Sequence, residues 1–263
     1  MNKRLVIDIG RRGNRKLVSE HKITKHWPGT DNKLILARDS KTKKAIDYYI
    51  HLLNRDQIHK LITRDSLKII KNNPELMQVL QDHIFHKLSG QKILETKNAR
   101  FIINDFKNSY KEQGKRHDKI YDLIYFDKIK NITHRFFIKR ERTYMLNKSE
   151  RADSQFTGIK LLEAEGFNII KPYFGIFDPI NKVSAIAYEY TNLEPLAFAL
   201  DNGSITKDEY QKICNTLHKV ESLIENKMNL IDINNSGNVF VERIRENKIK
   251  LYITDVMNDN VYN

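Results

Sequence analysis

The spacing of apolar positions changes period several times along this chain, and each change predicts an element. Lys3–Ile9 (KRLVIDI) and Lys33–Asp39 (KLILARD) read as strands. From Ser40 the spacing turns helical: Ala45, Ile46, Tyr49, Ile50 and Leu53, then Ile58, Leu61 and Ile62. Pro74–Leu88 predicts a second amphipathic helix, with Pro74 suited to its first turn and Ser89-Gly90 as its stop. His83 and His86 lie three apart on it. With no Cys/His cluster nearby they read as helix surface rather than a metal pair.

The polar stretch Lys107–His117 (KNSYKEQGKRH) contains Gly114 and predicts a boundary between residues 1–114 and 115–263. Beyond it, Asp118–Phe126 and Ile132–Lys139 read as strands. Phe156, Ile159, Leu161 and Leu162 mark a short helix ending near Gly166. Phe167–Lys171, Tyr173–Phe177 and Val183–Tyr190 follow as strands. Thr206–Lys227 is an amphipathic helix carrying Tyr210, Ile213, Leu217, Val220, Leu223 and Ile224 on one stripe. Asn238–Val241 and Ile249–Thr254 predict a two-stranded hairpin around a charged turn.

Charge divides the chain along the same boundary. The formal net charge is +13. Residues 1–114 hold 24 Lys and Arg against 12 Asp and Glu, and residues 115–263 hold 22 against 21. This asymmetry points to a polyanionic partner for the first part, a nucleic acid or an anionic membrane surface, with a solubilising surface as the equal alternative. The basic turn GRRGNRK, residues 10–16, is able to cradle a phosphate but matches no nucleotide-binding glycine pattern. One cysteine, Cys214, excludes an intrachain disulfide and reads as a buried helix residue. No apolar run is long enough to span a bilayer, and the apolar stretch after the basic start is too short for a secretory signal. The expectation is a cytoplasmic protein.

The order strand, helix, strands, long helix, loop, hairpin resembles the small members of the protein-kinase-like superfamily. These are the RIO kinases, the aminoglycoside and choline phosphotransferases and the lipopolysaccharide-core kinases. FFIK, ending in Lys139, resembles the strand that delivers a lysine to the nucleotide phosphates. LLEAEGFNIIKP, residues 161–172, resembles the end of the following helix, where the family carries a glutamate that pairs with the lysine. Here Gln155 occupies the inward stripe, with Glu150, Asp153 and Glu163 as nearby alternatives. AIAYEYTN and EPL, residues 185–196, look like the strand and hinge that receive adenine, and Leu217-His218 is similar to the pair before the catalytic loop. LIDINNSGNVFV and KLYITD resemble the catalytic loop and the returning strand, the latter ending in a metal-binding aspartate.

The resemblance implies an α+β fold. It would be a compact two-lobed kinase-like module, with an N-lobe at 115–192 and a truncated C-lobe at 193–263, preceded by a basic, mainly helical N-terminal region. It implies an ATP- and Mg²⁺-dependent phosphotransferase in which Lys139 holds the phosphates and Asp232 orients the acceptor. Asn238 and Asp255 would bind the metal, and Glu189 and Tyr190 would lie at the adenine. Asp232 stands six residues before Asn238, one more than the family's usual five, and Asp255-Val256-Met257 replaces Asp-Phe-Gly. A catalytically silent scaffold whose basic part binds a polyanion is the alternative.

Overall fold

Backbone N–H and C=O groups leave water only when paired, and here one large, mainly antiparallel sheet of twelve strands organises that pairing. The structure, a computed structural model, describes residues 3–9, 17–21, 25–26, 33–39, 45–51, 59–73, 76–85, 90–105, 117–142, 151–178, 180, 183–228, 230–231, 236–245, 248–255 and 257–258. The chain opens with β1 Lys3–Ile9, β2 Leu17–His21, β3 Lys25–His26, β4 Lys33–Asp39, β5 Ala45–His51 and β6 His59–Thr63. Helices α1 Arg64–Asn72 and α2 Leu76–Phe85 follow, then β7 Lys92–Glu95, β8 Ala99–Asp105, β9 His117–Asp127 and β10 Ile132–Arg142. Next come α3 Arg151–Ala164, β11 Pro172–Asp178, β12 Val183–Glu189, β13 Glu194–Pro195 and α4 Leu196–Asp201. The last elements are α5 Lys207–Met228, β14 Leu230–Ile231, β15 Val239–Arg245, β16 Lys248–Ile253 and β17 Met257–Asn258.

The large sheet runs β2-β1-β4-β5-β6-β11-β12-β10-β9-β8-β7, with β3 beside β4. Its β1–β4 pair is parallel. Two small sheets, β13-β15-β16 and β14-β17, stand apart from it. The fold is therefore mixed α+β with a mostly antiparallel sheet. Strands on both sides of residue 114 share that sheet: β6 pairs β11, and β8 pairs β9.

The helix expected from Ala45 to Ile62 is instead two strands, β5 and β6. Ile46, Tyr49, Ile50 and Leu53 satisfy a helical spacing, but the stretch is rich in β-branched and aromatic residues that suit a pleated ladder. Tyr49 faces Ile62 and Ile50 faces Leu61 across the pair. Leu61 and Ile62 are both fully buried, as expected for a strand covered on two faces, whose continuous apolar run carries no clean period. The mainly helical reading of the first 114 residues is thereby corrected to a strand-rich one.

Each face of the sheet has its own core. Phe136 and Ile138 of β10 join Ile62, Phe101, Leu123 and Phe174 beneath α1 and α2. The opposite face gathers Leu61, Phe177, Ile186 and Tyr188 beneath Phe156 and Ile159 of α3. A third cluster packs α4 and α5 onto the β15–β16 hairpin through Leu196, Ile205, Leu217, Val239 and Ile253. Cys214 is partly buried beside this third cluster. His83, expected on the surface of its helix, is 4% exposed and meets the Tyr121 ring edge-on at 5.6 Å; His86 lies outside the described residues.

Local chemistry sets the helix ends. Thr63 caps α1, its Oγ1 accepting from the Ser66 N–H at 3.3 Å, and Asp65 and Lys71 complement the helix dipole. Helix α3 stops in a Schellman turn: the Phe167 N–H donates to Leu162 O at 3.1 Å and the Gly166 N–H to Glu163 O at 3.0 Å. Gly166 takes φ 88°, a left-handed value that glycine adopts without a Cβ penalty. The stretch 167–171, expected as a strand, makes only the parallel bridge Ile169–Ile253 to the end of β16. Hydrogen bonds from Ile170 N–H to Ile253 O and from Ile253 N–H to Asn168 O, both 3.0 Å, tie the end of the hairpin to the connection after α3.

Candidate functional site

Strand alternation decides which way Lys139 faces. Phe136 and Ile138 point into the core under α1 and α2, so Phe137 and Lys139 take the opposite face, toward α3. On β12, Phe137 is opposite Tyr188, and the two rings stack at 5.1 Å; Lys139 is opposite Ile186. Lys139 thus extends over a largely apolar face, with 13% of its side chain exposed.

Its charge is met by Asp255, 116 residues away in sequence, through an ion pair from Nζ to Oδ2. The Asp255 side chain is 7% exposed. Removing two ions this far from water costs several kcal/mol each, which mutual attraction offsets only with good geometry. Asp255 adopts φ 55°, a left-handed backbone that Asp and Asn tolerate better than other residues bearing a Cβ. Asn238 holds it there: Nδ2 donates to Asp255 O at 3.3 Å, and the Thr254 N–H donates to Asn238 O at 2.8 Å. Asn238 is itself buried.

Lys139, Asn238 and Asp255, three residues named from the sequence, therefore meet. Asp232 lies outside the described residues. Among the alternatives for the lysine partner, Glu163 pairs instead with Lys160 at 2.7 Å. Glu150 lies outside the described residues, as does the side chain of Asp153. Gln155 does face inward, at 3% exposure, with Oε1 accepting from the Tyr188 hydroxyl at 3.5 Å.

Glu189 is the last residue of β12, and Tyr190 follows it. Their backbone donors are engaged, Glu189 N–H with Lys171 O at 2.9 Å and Tyr190 N–H with Arg135 O at 3.1 Å. The Tyr190 ring lies under the Arg135 guanidinium at 3.9 Å. That guanidinium also grips Asp122 with two bonds, Nε to Oδ1 at 2.7 Å and Nη2 to Oδ2 at 3.0 Å, and the hydrogen bond to Asp122 raises its pKa. Sequence reading missed this Asp122–Arg135–Tyr190 array, because nothing in the spacing of residues on β9, on β10 and just after β12 marks them as neighbours.

Among the described residues no group of three or more His, Cys, Asp or Glu is placed to hold a metal ion. Asn238 and Asp255, the two expected metal ligands, carry oxygen donors, the type that Mg²⁺ takes, whereas structural zinc sites use Cys and His. No helix among the described residues is long and apolar enough to cross a membrane. No protein-family model, no curated protein and no solved structure matches the chain.

Proposed function

We propose that this protein is a kinase-like phosphotransferase that uses ATP with Mg²⁺, and that Lys139, Asn238 and Asp255 form its nucleotide-phosphate site. The observation that carries the reading is the Lys139–Asp255 ion pair, with Asn238 clamping the aspartate's left-handed backbone. A cation named for the phosphates and two residues named as metal ligands come together at Asp255. Lys139 holds and neutralises phosphate oxygens from a nearly desolvated position, where a point charge acts strongly. Asp255 and Asn238 would hold the metal, whose chemistry is to draw charge from the phosphates as they transfer. Asp232 is assigned the acceptor hydroxyl and takes its proton. Glu189 and Tyr190 are assigned to the adenine; their N–H groups donate to Lys171 O and Arg135 O.

Lys139 Nζ meets Asp255 through Oδ2 alone. Phosphate at Lys139 and metal at Asp255 replace one buried attraction by two, so nucleotide and metal bind together. The test is ATP turnover followed by phosphorus NMR, with Mg²⁺ and then with EDTA. Expected is Mg²⁺-dependent loss of the γ-phosphate signal that Lys139→Met abolishes while circular dichroism stays native. Turnover unchanged in Lys139→Met contradicts the assignment.

A second reading, a silent scaffold with a polyanion-binding first part, is favoured by one feature. Arg64, Lys68 and Lys71 lie four and three apart on α1, all exposed. It requires binding of a nucleic acid that weakens steeply with salt. Salt-insensitive binding, or none, removes it.

A further inference from the structure

Helix α3 carries a buried polar group that the fold uses only in part. Gln155 is 3% exposed, and its Oε1 accepts from Tyr188. Its Nε2 meets no hydrogen-bond partner among the described residues. A primary amide has two N–H donors, and burying them unmet forfeits their hydration with nothing in exchange. An apolar side chain of the same length would fill the position without that loss.

Three relations place the amide on the same face of the sheet as the Lys139–Asp255 pair. Tyr188, which holds Oε1, stacks on Phe137, and Phe137 shares its β10 face with Lys139 two residues on. Lys139 is opposite Ile186, two residues before Tyr188 on β12. Helix α3 also lies against β17, which begins two residues after Asp255.

We infer that Gln155 is a phosphate-binding residue, its Nε2 acting with Lys139 Nζ as a pair of donors for the nucleotide's phosphate oxygens. The inference rests on the phosphotransferase reading and deepens it. A carboxylate at this position neutralises the lysine and accepts from it. An amide whose oxygen is already held by Tyr188 presents only donors, and it adds no negative charge. The site it makes favours the more highly charged ligand, a nucleoside di- or triphosphate over a monophosphate.

The test uses the full chain, with titration calorimetry of ADP in Mg²⁺ and thermal melts without ligand, for wild type, Gln155→Met and Gln155→Glu. Gln155→Met is expected to melt at or above the wild-type temperature, because the unmet donors are gone, and to bind ADP about tenfold more weakly. Gln155→Glu keeps the shape but replaces the donor with a negative charge, and is expected to bind more weakly still. Wild-type binding that Gln155→Met retains in full overturns the inference and leaves the phosphotransferase reading standing. Binding by Gln155→Glu as tight as wild type also overturns it, since a carboxylate donates nothing. No ADP binding by wild type overturns both.

Discussion

Asn238 and Asp255 fasten each other's backbone: the amide of Asn238 donates to Asp255 O at 3.3 Å, while Asn238 O accepts from the N–H of Thr254, the residue before Asp255, at 2.8 Å. The clasp closes over a residue at φ 55°. Asn238→Asp keeps the shape and the oxygens but turns a donor into an acceptor aimed at a carbonyl. It should cost about 1–3 kcal/mol in a chemical denaturation experiment. Asp255→Asn tolerates the left-handed backbone, whereas Asp255→Ala carries an added cost of about 1–2 kcal/mol. Equal stability of the two Asp255 variants, once the lost ion pair is matched by a Lys139→Met background, would contradict the backbone argument.

Removing only one member of the buried ion pair strands the other. Lys139→Met removes the cation paired with Asp255 Oδ2 and should lower stability by about 3–5 kcal/mol. Adding Asp255→Asn should restore much of that loss, since no buried charge remains. A double variant as unstable as Lys139→Met would show that the pair is not coupled.

Gly175 fixes how closely α3 approaches the sheet. A Cβ there would lie 3.1 Å from Phe156 Cε2, 3.3 Å from Ala185 O and 3.3 Å from Leu61 Cδ1. One of those neighbours is backbone and cannot turn aside. Gly175→Ala should therefore destabilise by about 1–3 kcal/mol, in the range of core overpacking. It should also weaken nucleotide binding by shifting Gln155, which adjoins Phe156. A melting temperature equal to wild type would contradict the tight contact.

How much of this was legible in the sequence depended on burial. Helix α5 and strand β15 were readable because each sets buried positions at a regular period against more exposed ones. β6 was not, because it is dry on both faces, and β5 was misread because Ile46, Tyr49 and Ile50 fit two templates at once. His83 was misplaced for a related reason: a histidine on a short helix looks like surface until Tyr121 arrives from β9 to cover it. At the site, Lys139, Asn238 and Asp255 were nameable from local motifs. Their pairing was not, because a contact spanning 116 residues is set by topology, and the sequence left four candidates for the lysine partner, none of them Asp255.

The Arg243–Glu209 ion pair supplies a pH test remote from the site. Arg243 donates to both Glu209 oxygens, at 3.0 and 2.8 Å, and the Thr206 N–H adds a third bond at 2.8 Å. The hydrogen bonds from Arg243, then that from Thr206, lower the Glu209 pKa from 4.5 to about 2. A depressed carboxylate stabilises the fold fully above its unfolded pKa, and the contribution is lost as pH falls through the folded value. The loss should therefore run from pH 4.5 down to about 2. Carbon-detected NMR of the Glu209 carboxyl should show this midpoint, and Arg243→Ala should return it toward 4.5. A normal midpoint in the wild type would contradict the pairing.

The most direct measurement is a thermal melt titrated with ATP and Mg²⁺, on wild type and on Asp255→Asn, each repeated with EDTA. At a hundredfold excess over the dissociation constant, bound nucleotide should stabilise the wild type by about 2.7 kcal/mol. That gain should vanish with EDTA and be absent from Asp255→Asn. A wild type that shows no shift, or an Asp255→Asn variant that shifts as far as the wild type, would contradict a nucleotide site built on Lys139, Asn238 and Asp255.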